Sequence, residues 1–478
     1  MASPVTIGVL LVYLCLLIGF GVWSRKETHT LSGFFLAGKK LPGWVVAFST
    51  NATGESGWLL LGLTGMGYAV GAKAYWVVVG EVVGIAASWW IVSRRLKRLG
   101  DESHAITVPD VLSAKFADKW HLVRGIAVVI ILSMVATYVA AQMVASGKAL
   151  STFFGMEYST AVIAGAVVII GYTFVGGYKA VSYTDVLQGV LMLAGLIVVP
   201  LAAISAAGGW GAVIDNVAAQ DPALTSMLSF TDEGAAGWIA VIGFVGVGLP
   251  FLGVPQLLVR YMSARDDDEL IKARRISVVV LLVFSFGAVT AGIAGRALFP
   301  GLEDTETIFP LLSNELFPPL ITGVLIIVVL SAIMSTVDSL LLLASSAVVR
   351  DTVQHIFGSS KSDKDLSTVG KWVTILIGIF GITFALMEAP LIFWFVLFAW
   401  SGLGAAFGPA VICLLYDRKT TREGVIAGML GGFLTSVVWV LVFKSRTYDL
   451  YEAIPGFIAG FALTIIVSRL THKPEKNL

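Results

Sequence analysis

Apolar stretches long enough to cross a lipid bilayer follow one another along almost the whole chain. The hydrocarbon core of a bilayer is about 30 Å thick, and about 20 helical residues span it. Thirteen such stretches lie near residues 5–23, 43–70, 74–93, 123–146, 159–178, 186–207, 236–259, 276–298, 318–349, 370–387, 390–415, 423–443 and 451–468. Only 13% of the residues are charged, about half the share found in soluble proteins. The sequence therefore predicts an all-α membrane protein with 13 transmembrane helices.

The composition also argues against several classes of function. A formal net charge of +1 gives no basic surface for nucleic acid. The two cysteines, Cys15 and Cys413, lie inside apolar stretches, which leaves neither a disulfide framework nor a zinc cluster. All five histidines fall in connections between the stretches, so we expect no haem or metal cofactor within the membrane and no enzyme. A Walker A motif is absent, so ATP is not the expected energy source.

The lysine and arginine residues predict the orientation. With the N-terminus outside, 27 of the 32 Lys and Arg residues fall in inside segments and five fall in outside segments. The positive-inside rule then places the N-terminus outside and the C-terminus in the cytoplasm, in the plasma (inner) membrane. The first stretch lacks a charged leader and a cleavage site, so we expect it to remain as a helix. The long outer connections, 208–235 and 299–317, carry acidic but no basic residues. We interpret them as solvated loops, and the alternative is that they gather cations at the mouth.

Polar residues interrupt the second stretch near its middle. Thr53, Glu55 and Ser56 lie here among the glycines Gly54 and Gly57. Ionisable groups within a span are costly and usually functional. Glycines beside polar residues are typical of an unwound helix whose backbone groups line a wet cavity. The alternative is a closely packed helix with Glu55 protonated or paired.

The seventh stretch has its own interruption, formed by Gly246, Gly248, Pro250, Gly253 and Pro255. Each proline removes a backbone donor and clashes with the preceding turn. Two interrupted helices five spans apart indicate an inverted-repeat transporter with its site at the midplane.

Hydroxyl groups and a carboxylate share one face of the ninth stretch. Ser335, Asp338 and Ser339 stand at i, i+3 and i+4, and Ala332 and Thr336 lie beside them. An all-oxygen environment suits a hard cation such as sodium. The serines could instead bond to their own helix, which would not account for Asp338.

Two further acidic residues lie near the starts of spans. Asp185, at the start of the sixth stretch, either caps the helix or binds an ion. Glu81, early in the third, has no evident sequence partner, and we interpret it as part of a structural ion pair or hydrogen bond.

Six blocks of sequence resemble the sodium/solute symporter family, and most closely its sodium/proline symporters. They are FFLAGKKLPGW (34–44), ESGWLLLGLTG (55–65), TFVGGYKAVSYTDVLQG (173–189), AIMSTVDSLLLLASS (332–346), AWSGLGAAFGPAV (399–411) and LYEAIPGF (450–457). The resemblance implies one transporter domain, 1–478, with the LeuT-like fold of two inverted five-helix repeats whose broken helices are spans 2 and 7. Its parts are an extra N-terminal helix (1–42), the repeats (43–207 and 236–415), and two more helices with a short tail (416–478).

The resemblance also implies binding residues. For the main sodium site they are Ala52, Glu55, Ala332, Ser335 and Thr336. A second sodium position would fall on Asp185, Asp338 and Ser339, together with Ser335. The implied substrate residues are Ser56, Gly57, Trp58, Tyr138, Val247, Phe251 and Pro255.

The chain departs from the proline branch at four of these positions or their neighbours. Gly54 stands where that branch has Asp, and Glu55 stands where it has Met. Val247 and Phe251 replace a Trp and a Tyr. A carboxylate at position 55 could compensate for the missing Asp, pair with a substrate amine or carry a proton.

The sequence thus predicts sodium-coupled symport of a small amino acid, proline or a close relative, by alternating access. The expected partners are that solute, the sodium ion and the lipid bilayer, with no cofactor, nucleic acid or obligatory protein partner. The alternatives are proton coupling through Glu55 or a different small solute such as a short carboxylate. A channel or sensory module fits less well, because two helices are interrupted.

Overall fold

The computed structural model describes residues 4–24, 30–116, 118–173, 177–229, 234–387 and 392–472. Its α-helices, named α1 to α20 in chain order, are Pro4–Ser24, Leu31–Leu36, Gly43–Gly57, Thr64–Val70, Tyr75–Ala87, Arg94–Glu102, Val108–Ala114, Leu122–Phe154, Tyr158–Thr173, Tyr178–Ala206, Trp210–Gln220, Ala235–Gly246, Pro255–Ser263, Asp267–Leu298, Ile308–Leu316, Pro319–Ser346, Asp363–Ala385, Ile392–Tyr416, Arg422–Val438 and Ala453–Thr471. Short 3₁₀ segments are Ala37–Lys39, Gly71–Ala74, Pro222–Thr225, Leu249–Leu252, Thr305–Thr307 and Lys444–Arg446. Segments of π-helix are Trp58–Leu63, Ser88–Ser93, Ala347–Ile356 and Trp439–Phe443. These ranges contain no β-strand, only an isolated bridge between Leu41 and Ala264.

Eleven helical segments in the described ranges are long and apolar enough to cross a membrane. They are Pro4–Ser24, Gly43–Glu102, Leu122–Phe154, Tyr178–Ala206, Ala235–Leu252, Asp267–Leu298, Pro319–Ile356, Thr368–Ala385, Ile392–Tyr416, Arg422–Arg446 and Ala453–Thr471. Tyr158–Ile170 is apolar but shorter. The prediction of an all-α, multi-pass membrane protein is confirmed, and the count of 13 spans stays a prediction.

Four helices form the centre of the fold. The helix α3 packs against α10, α14 and α16, and α10 also packs against α14 and α16. Small and polar side chains lie at these contacts, among them Ser49 and Thr53 of α3 and Ser339 of α16, all buried. Such residues let helices approach closely and bond across the contact in lipid. At the periphery, α1 exposes Leu11 and Val12, as expected of a lipid-facing helix.

Glycines bring neighbouring backbones into contact around residues 247–254, the connection between α12 and α13. A Cβ on Gly84 of α5 would lie 2.0 Å from the carbonyl oxygen of Gly248. On the other side, a Cβ on Gly253 would lie 2.2 Å from the amide nitrogen of Gly408 in α18. The connection is therefore held between α5 and α18 at distances that only glycine allows.

We expect Gly84→Ala to destabilise the protein by about 1–3 kcal/mol. The added methyl group would clash with the backbone of Gly248, which cannot move away as a flexible side chain can. The thermal unfolding midpoint of the purified protein in detergent measures the change. Gly125→Ala is the matched control, since a Cβ there meets nothing within 4 Å. Equal midpoints for the two variants would show that the contact between α5 and the connection is looser than described.

Candidate functional site

The helix α3 departs from helical geometry at Ser56, whose φ is 55° and ψ is −173°. L-residues rarely adopt a positive φ, so this position is strained. The following backbone is held by α8, where Gln142 Oε1 accepts a hydrogen bond from the Gly57 N–H at 3.0 Å. The Trp58 N–H donates to Ser56 Oγ at 3.1 Å. The Ser56 kink therefore lies in the middle of the second apolar stretch, and side-chain oxygens accept the hydrogen bonds of the backbone N–H groups that follow it.

The 247–254 connection is irregular for a different reason. It carries Pro250 and is followed by Pro255, and neither residue has an amide hydrogen to continue a helix. Val254 is extended, with φ −63° and ψ 121°. Val247 is fixed by Trp400, whose Nε1 lies 3.4 Å from the Val247 carbonyl oxygen. The prolines thus separate α12 from α13 where the sequence predicts the second interruption.

Hydroxyl groups of α16 meet backbone oxygens of α3 just before the Ser56 kink. Ser335 Oγ donates to the carbonyl oxygen of Ala52 at 2.8 Å and lies 3.2 Å from that of Ala332. Thr336 Oγ1 donates to the carbonyl oxygen of Thr53 at 3.0 Å. Four of the five residues predicted for the main sodium site therefore lie together, and their groups there are oxygen donors that suit a hard monovalent cation.

Glu55 is the fifth predicted sodium residue. Its carbonyl oxygen accepts a hydrogen bond from the Trp58 N–H across the Ser56 kink. Its side chain is 1% exposed and lies within electrostatic range of Glu81. Glu81 Oε2 in turn accepts a hydrogen bond from Ser285 Oγ at 2.7 Å, which fits the hydrogen-bonded role predicted for it. Glu55 therefore has its backbone oxygen at the kink and its carboxyl group near Glu81 of α5.

A cavity of about 10 Å³ lies between the two irregular segments. It is lined by Gly54, Trp58, Glu81, Tyr138, Val247, Val396, Leu397 and Trp400. Of these, Trp58, Tyr138 and Val247 are predicted substrate residues. The volume is about that of one water molecule. The site is therefore closed around this point in the conformation described.

Aromatic rings surround the cavity and include a further predicted residue, Phe251. The ring of Trp400 meets Phe251 edge-on at 5.1 Å between centroids and Tyr138 edge-on at 6.5 Å. Trp58 packs against Phe393 at 5.5 Å. Edge-on packing of this kind gives a rigid apolar wall.

The remaining predicted substrate residues lie at the irregular segments themselves. Ser56 and Gly57 form the kink, and the Tyr138 hydroxyl is in hydrogen-bonding reach of Ser56. Pro255 is buried at the start of α13. The structure therefore brings most of the set to one place, with Pro255 at its α13 edge.

Several buried polar atoms beside the kink have no hydrogen-bond partner in the described part of the chain. They are both carboxyl oxygens of Glu55, Trp58 Nε1 and Gln142 Nε2. Buried polar groups are ordinarily paired, so such atoms call for an explanation. The two Glu55 oxygens are acceptors, and the Trp58 and Gln142 nitrogens are donors. Together they could bind a ligand that carries both a positive and a negative group.

A larger cavity of about 400 Å³ lies next to the small one. Val247 and Leu397 line both. Its other lining residues include Glu306 and Asp449, which belong to connections predicted to face outside. Val247 and Leu397 therefore separate the small cavity from a vestibule on the predicted outer side.

Two residues of the predicted second sodium position, Asp185 and Ser339, contact a guanidinium group. Arg260 Nη2 lies 3.1 Å from Asp185 Oδ2 and 2.5 Å from Ser339 Oγ. Asp338 is fully buried on α16 and lies within electrostatic range of the Tyr13 hydroxyl. Asp185 is therefore ion-paired. The prediction that it caps the helix is wrong, because α10 begins at Tyr178 and Asp185 lies seven residues further on.

Sequence analysis missed three contributors to the site: Arg260, Gln142 and Trp400. Arg260 was counted among the inside residues that mark topology, but it is 1% exposed. Gln142 gave a signal that could have been used, since it is an amide within an apolar span. Trp400 lies in a block that carries the family resemblance, yet its contact with the 247–254 connection is visible only in the fold.

Comparison with known proteins identifies the family. The sodium:solute symporter family matches residues 34–432. The chain is 36% identical to the high-affinity proline transporter PutP of Bacillus subtilis over 466 residues, 96% of this chain and 97% of that protein. It is 35% identical to a sodium/proline symporter of Staphylococcus aureus (strain JH9) over 477 residues, 97% of this chain and 92% of that protein.

Solved structures share the fold. A Na⁺-coupled sialic acid symporter in a substrate-bound outward-open state has a TM-score of 0.81 at 20% identity, covering 98% of both chains. Mhp1, a nucleobase-cation-symport-1 family transporter, has a TM-score of 0.55 at 13% identity, covering 93% of this chain and 96% of the other. With the family match over most of its length and relatives above 30% identity, the chain belongs to the sodium:solute symporter family.

Proposed function

We propose that the chain imports proline, or a closely related amino acid, together with sodium. The unpartnered atoms beside the Ser56 kink carry the proposal. An amino acid brings an ammonium group for the Glu55 carboxyl and a carboxylate for the donors Trp58 Nε1 and Gln142 Nε2. The printed names of the relatives, a proline transporter and a sodium/proline symporter, support the same solute.

Sodium binding would fix the shape of the Ser56 kink. The ion would take the carbonyl oxygens of Ala52, Glu55 and Ala332 and the hydroxyls of Ser335 and Thr336. Because these groups come from both α3 and α16, the bound ion would hold the two helices together. The backbone beside Gly57 and Trp58 would then be ordered for the solute, and this gives the coupling between the two ligands.

Movement between the two states would follow the inverted-repeat arrangement. We assign 43–207 and 236–415 to the repeats, with 1–42 before them and 416–478 after. The Ser56 kink and the 247–254 connection are then the broken parts of spans 2 and 7. Gly43–Glu102 holds 60 residues, longer than one crossing takes, so two spans in this stretch and a further one near Tyr158–Ile170 give 13.

We assign the N-terminus to the outside and the C-terminus to the cytoplasm of a plasma (inner) membrane, because the distribution of Lys and Arg residues predicts it. The vestibule then opens to the outside. Solute would enter past Val247 and Leu397 and reach Trp58, Tyr138, Phe251 and the start of α13. The cavity is too small for an amino acid as described, so these side chains must separate first. A ligand moves such an equilibrium only by binding one state more tightly, which the sodium and solute contacts provide.

Uptake by purified protein in proteoliposomes tests the proposal. We expect an inward sodium gradient to drive concentrative, saturable accumulation of labelled proline, fastest among a panel of amino acids. Liposomes with potassium replacing sodium on both sides are the control. Accumulation that is equal with and without sodium would contradict sodium coupling. Faster uptake of another amino acid from the panel would show that proline is not the preferred substrate.

A second candidate is proton coupling, and the two buried carboxyl groups favour it. Glu55 and Glu81 both lie within electrostatic range of the Tyr138 hydroxyl, and neither carboxyl group is in a salt bridge in the described ranges. Either can carry a proton into the site. Uptake driven by a pH gradient without sodium, and lost in Glu55→Gln, would establish this mode.

A further inference from the structure

The first helix of the chain, α1, places one polar side chain between two helices of the core. Tyr13 is 3% exposed, and only five of the 21 residues of α1 are buried. The Tyr13 hydroxyl shares a hydrogen bond with Ser331 Oγ of α16 at 2.9 Å and accepts one from Gln188 Nε2 of α10 at 2.9 Å. We propose that Tyr13 is a positioning residue for sodium, because it holds α10 and α16 in the arrangement that the main sodium site needs. This inference rests on the proposed sodium-coupled function.

The two partners depend on the Tyr13 hydroxyl. Ser331 and Gln188 are fully buried, and neither side chain makes another hydrogen bond in the described part of the chain. Gln188 Oε1 has no partner there, so the amide group is held through Nε2 alone. Buried polar groups are ordinarily paired, and leaving one unpaired is costly. Without the Tyr13 hydroxyl, a side chain on each of the two helices would have to find a new position.

On α16, the bond with Tyr13 lies beside the predicted sodium ligands. Ser331 directly precedes Ala332, whose carbonyl oxygen belongs to the main sodium site, and it stands four residues before Ser335. Residues four apart in a helix are neighbours on one face. Ser335 Oγ in turn reaches the Ala52 carbonyl oxygen of α3 at 2.8 Å. The bond with Tyr13 therefore fixes the turn of α16 that carries two of the ligands.

On α10, Gln188 stands three residues after Asp185. Asp185 Oδ2 accepts a hydrogen bond from Arg260 Nη2, which also reaches Ser339 Oγ of α16. Asp185 Oδ1 has no hydrogen-bond partner in the described ranges, so this carboxyl group makes no direct bond to α16. The helices α10 and α16 are thus linked by hydrogen bonds at two levels, through Arg260 and, further along both helices, through Tyr13.

Tyr13→Phe tests the inference, because it removes the hydroxyl and keeps the ring. In proteoliposomes we expect the sodium concentration for half-maximal uptake to rise about three- to tenfold, the loss in affinity that a missing hydrogen bond causes. The solute concentration for half-maximal uptake, measured at saturating sodium, should change much less. Tyr158→Phe is the matched control, since its hydroxyl joins α9 to the Ala385 carbonyl oxygen of α17 at 3.1 Å, away from the site. We expect it to keep the sodium dependence of the parent.

A double-variant cycle distinguishes this role from a general loss of stability. Ser331→Ala removes the partner on α16, and we expect it to raise the sodium requirement as well. Tyr13→Phe/Ser331→Ala should have a smaller effect than the product of the two single effects, because both changes remove the same bond.

Three results would overturn the inference. They are the parent's sodium dependence in Tyr13→Phe, an equal rise in Tyr158→Phe, and a double variant whose effect equals the product of the single effects. If Tyr13→Phe does not fold, the parent's sodium dependence in Ser331→Ala overturns the inference by itself. Uptake by the parent that does not depend on sodium would contradict the proposed function, and the inference with it.

Discussion

Replacing Thr336 with alanine is expected to raise the sodium concentration for half-maximal uptake by about 10- to 100-fold. The hydroxyl reaches the backbone of α3 at 3.0 Å, at the place where the ion would join α3 to α16. A hydrogen bond or ligand contact to a charged group contributes about 1.5–3 kcal/mol. Each 1.4 kcal/mol is about a factor of ten in affinity. The solute concentration for half-maximal uptake, measured at saturating sodium, should change much less.

A buried threonine away from the site is the matched control for this change. Thr374→Ala removes a hydroxyl that bonds to the Gly370 carbonyl oxygen of its own helix at 3.1 Å. We expect its sodium dependence in proteoliposomes to equal that of the parent. If Thr336→Ala also keeps the parent's sodium dependence, the main sodium site does not lie between α3 and α16.

The sequence predicted the class of fold from local patterns, and the family resemblance implied most of the residues that the structure brings together around the Ser56 kink. Long apolar stretches cannot dissolve in water, so the multi-pass class follows from length and composition. Ser335 and Thr336 are adjacent in one helix, and Ala52 and Glu55 are close together in another. The family resemblance implies that the two groups form one sodium site, and in the structure Ser335 Oγ donates a hydrogen bond to the Ala52 carbonyl oxygen.

What the sequence could not predict depends on partners far away in the chain. Arg260 follows an apolar stretch, where arginines usually mark the membrane surface, and its burial depends on Asp185. Glu306 lies in a connection interpreted as solvated, yet it is 2% exposed. It accepts hydrogen bonds from the N–H groups of Ile392 and Phe393 and pairs with Lys148 at 2.8 Å. The interpretation of that loop as solvated is therefore wrong at Glu306, because its buried carboxylate accepts hydrogen bonds from the first backbone N–H groups of α18.

The Glu55 carboxyl group has the largest expected effect on the solute. We expect Glu55→Gln to raise the proline concentration for half-maximal uptake by about 30-fold or more, since losing one partner of a buried, hydrogen-bonded charge pair costs about 2–5 kcal/mol. Glu55→Asp keeps the charge and should recover part of the affinity, and the exposed Glu315→Gln should match the parent. The sodium requirement should change little, because the ion would use only the backbone oxygen of residue 55. Unchanged proline affinity in Glu55→Gln, with loss of pH-driven uptake, would assign this carboxyl group to proton coupling instead.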